Sequence, residues 1–437
     1  MQKNRRNFLK NITLATAGTT FAACNPSIAQ TVAKSNQKAT AASLLPPDEW
    51  QPVTPLQNIK TLLPAPVIID KIEVIRYNVK KKKYEYMIRV TDKDGDFGLA
   101  MGNGRFTNTF TLFQKIVLPF FKKKDVRDAA TLFEEFYYFN DKRVYKYLSM
   151  PLWNCYGIIE SAILDLLGKK AGKNVRDLLG TTLRKEIPVY MSSTERGTTA
   201  EEEVEWLGAA TREVNAEAIK FKIGGRMSRN ADASPGRTDK IVPLFRKTMG
   251  DDVHLYVDSN GSYDVAKSIE IGKWLEEYNI GFYEEPNEWG DFVGLKKINE
   301  ALEMTVAGGE QDHDWHKWQW MIDNRAMDLI QPDLMYNGGI LRTIKLANYA
   351  AQKGIPVTTH NPRNNAEYAN ILAFASVVPN VGPYQEYRAE KPKTQIRYST
   401  DFTPKNGKVK VLDAPGLGVA YDFDFIDGME VFISSKK

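Results

Sequence analysis

Six ionisable residues recur through the second half of the chain at nearly constant spacing, each at the end of a short apolar segment. They are Asp258, Glu284, Glu310, Asp333, His360 and Glu386, at intervals of 26, 26, 23, 27 and 26 residues. Lys222 ends the apolar run before them. One such acid could cap a helix, but so many in consecutive units are hard to assign to capping. With a first segment at 187–191, the candidate strands are 187–191, 218–223, 254–257, 281–283, 305–307, 329–330, 356–359 and 381–384, separated by helical stretches. Eight strands over roughly 200 residues match a (β/α) barrel. A doubly wound sheet is the alternative, but no G-x-G-x-x-G follows the first strand. In a barrel the C-terminal strand ends converge on one mouth, where polar residues read as catalytic.

In the second strand, Lys220 and Lys222 alternate with Ile219, Phe221 and Ile223. Successive strand side chains point to opposite faces, so the two ammonium groups project together. Burying that face is costly unless carboxylates or a metal-bound anion answer it. Otherwise the segment reads as an edge strand with solvated lysines. The acids on the following strands favour the buried reading. Asp258, Glu284 and Glu310 come from neighbouring strands and make a hard oxygen site that suits Mg²⁺ better than zinc. A metal there would offset their repulsion and leave positions for a substrate carboxylate. Lys222 and His360 fall on opposite sides of it. Asp333, on the preceding strand, can hold His360 Nδ1–H and leave Nε2 towards the substrate.

The 437 residues allow a large core and more than one domain. The formal charge of +5 is interspersed with acids, so no nucleic-acid partner is expected. No stretch beyond the N-terminus approaches the run of about 18 apolar residues that a membrane span needs. Residues 1–29 read as a leader: Arg5-Arg6-Asn7-Phe8-Leu9-Lys10 resembles a twin-arginine export signal, followed by a weakly apolar run from Ile12 to Ala23. Cleavage at the lipobox-like Phe21-Ala22-Ala23-Cys24 would leave Cys24 as a lipid anchor, and cleavage after Ser27-Ile28-Ala29 would release a soluble protein. Either way the expected location is periplasmic. Cys155 is the one other cysteine, so neither a disulfide framework nor a cysteine metal site is expected. Residues 30–66 read as a tether or arm. Strands are expected at 72–77 and 84–90, joined by the basic turn 80–83, then glycine-rich loops at 94–98 and 101–104. The loops lack a P-loop pattern and suit a substrate-covering role. Helical patterns follow at 109–121, 129–139 and 153–167.

Several motifs together resemble the enolase superfamily, within it the mandelate racemase/muconate lactonizing enzyme family. They are the run Ile159 to Lys169, Leu178-Leu179-Gly180, Lys220-x-Lys222, Val257-Asp258-Ser259-Asn260, Tyr283-Glu284-Glu285-Pro286, Gly309-Glu310, Gln331-Pro332-Asp333 with Gly338-Gly339, His360-Asn361-Pro362 and Pro415-Gly416-Leu417-Gly418. The resemblance implies a (β/α)7β TIM-like barrel at 187–403 with an α+β N-terminal capping domain at 67–186, and a segment 404–437 packing on that domain. It implies Mg²⁺ on Asp258, Glu284 and Glu310, and α-proton abstraction from a small carboxylate substrate by Lys222 and the His360–Asp333 dyad. Lys220 would neutralise the substrate carboxylate, Asn260 would bond near the metal, and Glu386 would donate a hydrogen bond to the developing enolate. A homo-oligomer is expected. Both sugar-acid dehydratases and racemases share this set. Several of the dehydratases carry histidine where Asn260 stands, which weakens transfer from those members. Glu195, Arg196, Arg363, Asn364 and Asn365, just beyond strand ends, offer polar contacts, with Arg363 assigned to substrate binding. They favour dehydration of a polyhydroxy acid, with racemisation or epimerisation as the alternative. An exported, non-catalytic sugar-acid-binding lipoprotein is a third reading, but a binding relic would be expected to have lost at least one acid/base group.

Overall fold

The computed structural model describes residues 43–80, 83–139, 142–390 and 394–435. The leader, Cys24 and the middle of the basic turn, Lys81 and Lys82, lie outside the described residues. Strands β1 (Ile69–Lys80), β2 (Lys83–Asp92) and β3 (Phe97–Met101) form an antiparallel sheet, which the last strand, Glu430–Ser434, extends beside β1. Helix α1 (Met150–Ala171) lies across this sheet with most of its length buried.

The barrel follows. Strands β4 (Glu186–Ser192), β5 (Ala218–Lys222), β6 (His254–Asp258), β7 (Ile280–Glu284), β8 (Thr305–Gly308) and β9 (Leu329–Ile330) pair in parallel in that order. Single bridges from Ile330 to Val357 and from Val357 to Val381 continue the sheet. Strand β10 (Gln385–Arg388) then pairs in parallel with β4 and closes the ring. A helix follows each strand but the last, from Ala200–Glu213 after β4 to Tyr368–Val377 after the Val357 bridge. Four of these helices start on side-chain caps: Thr199 and Glu202 form a reciprocal box, and Asp264, Asp291 and Asp314 accept from N–H groups three residues on.

Alternation along the strands builds the site's floor. Ile219, Phe221 and Ile223 pack outward against helices, Phe221 stacking on Phe245 with ring centroids 4.3 Å apart. Inward, Tyr256 and Phe282 stack at 4.0 Å, Tyr190 meets both edge-on, and Ala218 and Ala307 complete the layer. Two residues further along the same strands come Lys220, Asp258 and Glu284. An aromatic plug thus lies directly beneath a layer of charge.

The structure corrects four expectations. Phe97, Gly98 and Met101, expected in loops, belong to the strand Phe97–Met101. Gly98 made it read as a turn, but its missing side chain is what lets α1 approach, since a Cβ there would sit 2.0 Å from Ala162 O. Residues 43–66 are no tether: Leu44 N–H donates to Val381 O at 3.1 Å, Leu56 N–H donates to Leu178 O at 2.8 Å, and Trp50, Leu56, Ile59 and Leu63 are buried. The eighth strand runs to Arg388, so Glu386 lies within it. Finally, the segment after 403 contacts both domains, with Lys408–Lys410 pairing antiparallel with β4. Cys155 is buried, its thiol pushed up to about 12 by burial against the Thr109 hydroxyl. No helix among the described residues is long and apolar enough to cross a membrane.

The capping domain is fixed to the barrel through Glu160 on α1. Its carboxylate accepts from Leu341 N–H at 3.1 Å, at the start of the helix Ile340–Ala351. Gly339 (φ +106°) makes this possible, because a Cβ there would lie 2.2 Å from Glu160 Oε1. Burial pushes Glu160 up to about 8, against the Leu341 and Ile340 N–H groups and Arg342. A pKa raised by folding contributes stability that is full below the ordinary carboxyl range and lost as pH rises through about 8. Glu160→Gln mimics the protonated acid. The wild-type protein should therefore lose a few kcal/mol relative to the variant between pH 5 and 9, read by denaturant titration. Parallel stability curves would refute the assignment.

Candidate active site

The polar layer sits at the C-terminal end of the barrel and is almost wholly buried. Lys220 Nζ donates to both Glu284 oxygens, at 2.9 and 2.7 Å, and lies 2.9 Å from Glu386 Oε1. It also sits 5.2 Å from the Tyr190 ring centroid. Burial opposes the charge on Lys220, but Glu284 and Glu386 outweigh it and hold the group as an ammonium. Lys222 Nζ pairs with Asp258 Oδ2. Asp258 Oδ1 accepts from Asn260 N–H at 2.7 Å, and Gln331 Nε2 donates to Glu284 Oε2 at 2.7 Å.

The histidine dyad stands on the other flank. His360 Nδ1 is 2.9 Å from Asp333 Oδ2, while Asp333 Oδ1 accepts from Met335 N–H and Tyr336 N–H at 2.9 and 3.0 Å. A carboxylate fixed by two backbone donors leaves its second oxygen to orient the ring, so Nε2 faces the site. Nε2 lies 3.4 Å from Glu310 Oε2. Burial opposes the imidazolium, yet Glu310, Asp333 and Glu386 together hold it up to about 9.

Asp258, Glu284 and Glu310 each offer an oxygen within 4.8 Å of the others. Burial pushes Glu284 up to about 8; Lys220 opposes the shift, and Asp258 and Glu386 reinforce it. Glu285, a fourth acid, is driven well above the usual range by burial and by Glu310 and Asp258. A hard, oxygen-only donor set this crowded with negative charge fits a divalent cation.

The structure brings Lys220, Lys222, Asp258, Asn260, Glu284, Glu310, Asp333, His360 and Glu386 into one site. Lys220 and Glu386 also pair with each other in this arrangement. Lys220 has its donors on Glu284 and Glu386, so in this arrangement it neutralises the protein's own acids. Glu386 accepts from Asn361 N–H at 2.7 Å through its second oxygen. Burial favours its neutral form, but Lys220, His360 and Lys222 outweigh burial and hold it down to about 2. Arg196 donates to the Gly224 and Asp258 carbonyls, at 3.1 and 3.4 Å.

Other participants are not visible in the sequence pattern. Glu285 Oε2 accepts from Asn260 Nδ2 at 3.1 Å, and both residues are left-handed, with φ of 43° and 42°. That backbone breaks strand alternation and turns two neighbouring polar residues onto the same site. Arg105, from the capping domain, donates through Nε to Tyr336 OH at 2.6 Å, and the Tyr336 ring lies 6.3 Å from that of His360. Above the buried layer a polar cleft of about 620 Å³ opens between the domains, lined by Glu85, Asn103, Glu195, Arg363, Asn364 and Arg388 among others.

Residues 202–425 match the family model described as enolase C-terminal domain-like. The chain belongs to the enolase superfamily. Among curated relatives, the arabinonate dehydratase of Saccharolobus solfataricus is 26% identical over 340 residues, 76% of this chain and 86% of that protein. A solved structure from Roseobacter denitrificans, provisionally described as a racemase, is 31% identical with a TM-score of 0.77, covering 84% of this chain and 99% of that one. A mandelate racemase/muconate lactonizing protein from Paracoccus denitrificans, solved in complex with magnesium, shares the fold at 21% identity and a TM-score of 0.74, over 83% and 96% of the two chains.

The acid cluster generates a direct test. Adding Mg²⁺ to metal-free protein should raise its melting temperature, since a ligand at a hundredfold excess over its Kd stabilises the folded state by about 2.7 kcal/mol. Glu284→Gln should abolish the rise. An unchanged wild-type melting curve would count against a cation at these residues.

Proposed function

We propose that this member of the enolase superfamily removes the α-proton of a carboxylate substrate, with Mg²⁺ held by Asp258, Glu284 and Glu310, and that the reaction is dehydration of a sugar acid to a 2-keto-3-deoxy acid. One observation carries the reading: a nitrogen base stands at each flank of the triad in one closed barrel mouth, Lys222 against Asp258 and His360 against Glu310. When bound, the metal ion supplies positive charge to stabilise the negative charge that develops on the substrate carboxylate, the general pattern of this superfamily.

The chain's own residues do the proton work. One base takes the α-proton, and the electron pair of that C–H bond becomes the Cα–Cβ double bond as the Cβ–O bond breaks. The other base, protonated, gives its proton to the departing hydroxyl, which leaves as water. The resulting enol tautomerises to the 2-keto product. Substrate stereochemistry decides which base does which. Asp333 keeps His360 Nε2 aimed at the substrate throughout, and Lys220 keeps Glu284 and Glu386 in place beneath it.

Dehydration is supported by the polar cleft above the site, whose side chains suit hydroxyl groups, and by similarity to a sugar-acid dehydratase over three quarters of the chain. Racemisation is the second reading. Bases on both flanks could return the proton to the opposite face, and the 31% identical structure is provisionally described as a racemase.

Incubation with a panel of sugar acids in D₂O, followed by NMR, separates these readings. Dehydration predicts α-proton loss with accumulation of a 2-keto-3-deoxy acid. His360→Asn should lower kcat by roughly 10²- to 10⁴-fold, the usual worth of a general acid or base, and Lys222→Ala should impair the complementary step. Interconversion of two stereoisomers without keto product would replace dehydration with racemisation. Acids that bind but never exchange would sink both.

A further inference from the structure

The 620 Å³ cleft is walled by six charged residues among those described, and three of them, Glu85, Arg388 and Glu390, are already committed. Arg388 donates to Glu390 at 3.1 Å and to Thr194 Oγ1 at 2.7 Å. Glu85 Oε2 accepts from Thr394 Oγ1 and from the Gln395 and Ile396 N–H groups, at 3.0, 2.6 and 3.1 Å. Arg363 differs. It is exposed, and among the described residues no hydrogen bond or ion pair engages its guanidinium. Gly104, on the capping-domain loop, leaves room for it, since a Cβ there would lie 2.4 Å from the guanidinium. Glu367 is within electrostatic range of Arg363 but is pushed up to about 7 by burial, so it is a partial countercharge at most.

Position gives this unanswered charge a meaning. Arg363 lines two spaces at once: the large cleft, and a small cavity beside it that includes His360 and Asp333. Three residues of extended chain separate it from His360, a reach of at most roughly 10 Å. That is the scale of a five- or six-carbon acid with one end at the reacting centre. A planar guanidinium is suited to bidentate recognition of a carboxylate. Lys83, on the cleft wall, adds a second cation, while Glu195 offers a carboxylate that can accept from hydroxyls between the two ends.

We infer that the substrate is a dicarboxylic sugar acid, one carboxylate at the reacting centre and the other on Arg363. The inference rests on the sugar-acid reading of the site and narrows it to an anionic far end. A phosphate at that end would present similar chemistry, so the comparison includes it.

The test compares three acids of matched configuration: a monocarboxylic aldonic acid, the corresponding diacid, and the aldonic acid phosphorylated at its far end. Each is assayed with the wild-type protein and with Arg363→Gln. Calorimetry in the presence of Mg²⁺ should show the wild-type protein binding the diacid roughly 10- to 100-fold more tightly than the monoacid, the worth of charge-assisted hydrogen bonds. Arg363→Gln should erase that preference, weakening the diacid roughly 10- to 100-fold more than the monoacid. In turnover, the loss should fall on KM for the diacid and spare kcat. Equal or tighter wild-type binding of the monoacid, equal losses for both acids in the variant, or a preference for the phosphorylated acid would each overturn the inference. Binding is read separately from turnover, so a preference for the diacid without proton exchange would uphold the inference while defeating the catalytic reading.

Discussion

The buried ammonium of Lys220 is the interaction on which the rest of the site depends. It lies on the second barrel strand and touches acids on the fourth and the eighth. A charge taken out of water costs several kcal/mol unless it is answered, and removing one partner of a buried pair is more damaging than never having had it. The three strands must therefore be in register together for any of them to be tolerable. Closure of the ring by β10 is thus required by electrostatics as well as by hydrogen bonding. The aromatic plug beneath seals this layer from water at the other end of the barrel, which keeps those charges strong.

A second set of contacts makes the two domains act as one site. Glu160 fixes α1 to the start of the helix Ile340–Ala351, and Arg105 reaches from the capping domain to Tyr336. Tyr336 in turn gives its N–H to Asp333, the acid that orients His360. The chain of contacts from the capping loop to the histidine has only three links. Substrate recognition above and proton transfer below share these residues, so the capping loop bears on chemistry without supplying an acid or base of its own.

Much of the barrel was legible in the sequence because its signals are local and repeated. The alternation around Phe221 and the ionisable residue recurring at or near most strand ends both reflect a closed sheet of repeated units. What escaped was whatever depended on distant partners. Gly98 looks like a turn residue until α1 is placed against it. The segment 43–66 has no periodicity, yet Trp50, Leu56, Ile59 and Leu63 find apolar surface supplied by residues far along the chain. Glu285 follows a metal-ligand candidate, so alternation alone would send it to the other face, and only its left-handed backbone brings it to Asn260. Arg196 and Arg363 both read in sequence as cations just after strand ends, with Arg363 alone assigned to substrate binding. The fold gives the first to backbone carbonyls and, among the described residues, leaves the second's guanidinium without a hydrogen bond or ion pair.

The strand Glu430–Ser434 belongs to the same sheet as β1 although it is the last element described. Asp165 on α1 reinforces the arrangement, accepting from Leu99 N–H and Leu417 N–H at 2.9 and 2.8 Å and so tying β3 to the C-terminal segment. On a ribosome, the barrel strands emerge before this sheet can be completed. Domains as a rule fold in order of synthesis. Here the sheet that begins with β1 is not complete until Glu430–Ser434, which follows the barrel in the chain, has joined it. The order of synthesis therefore places completion of the capping sheet after the barrel strands have emerged.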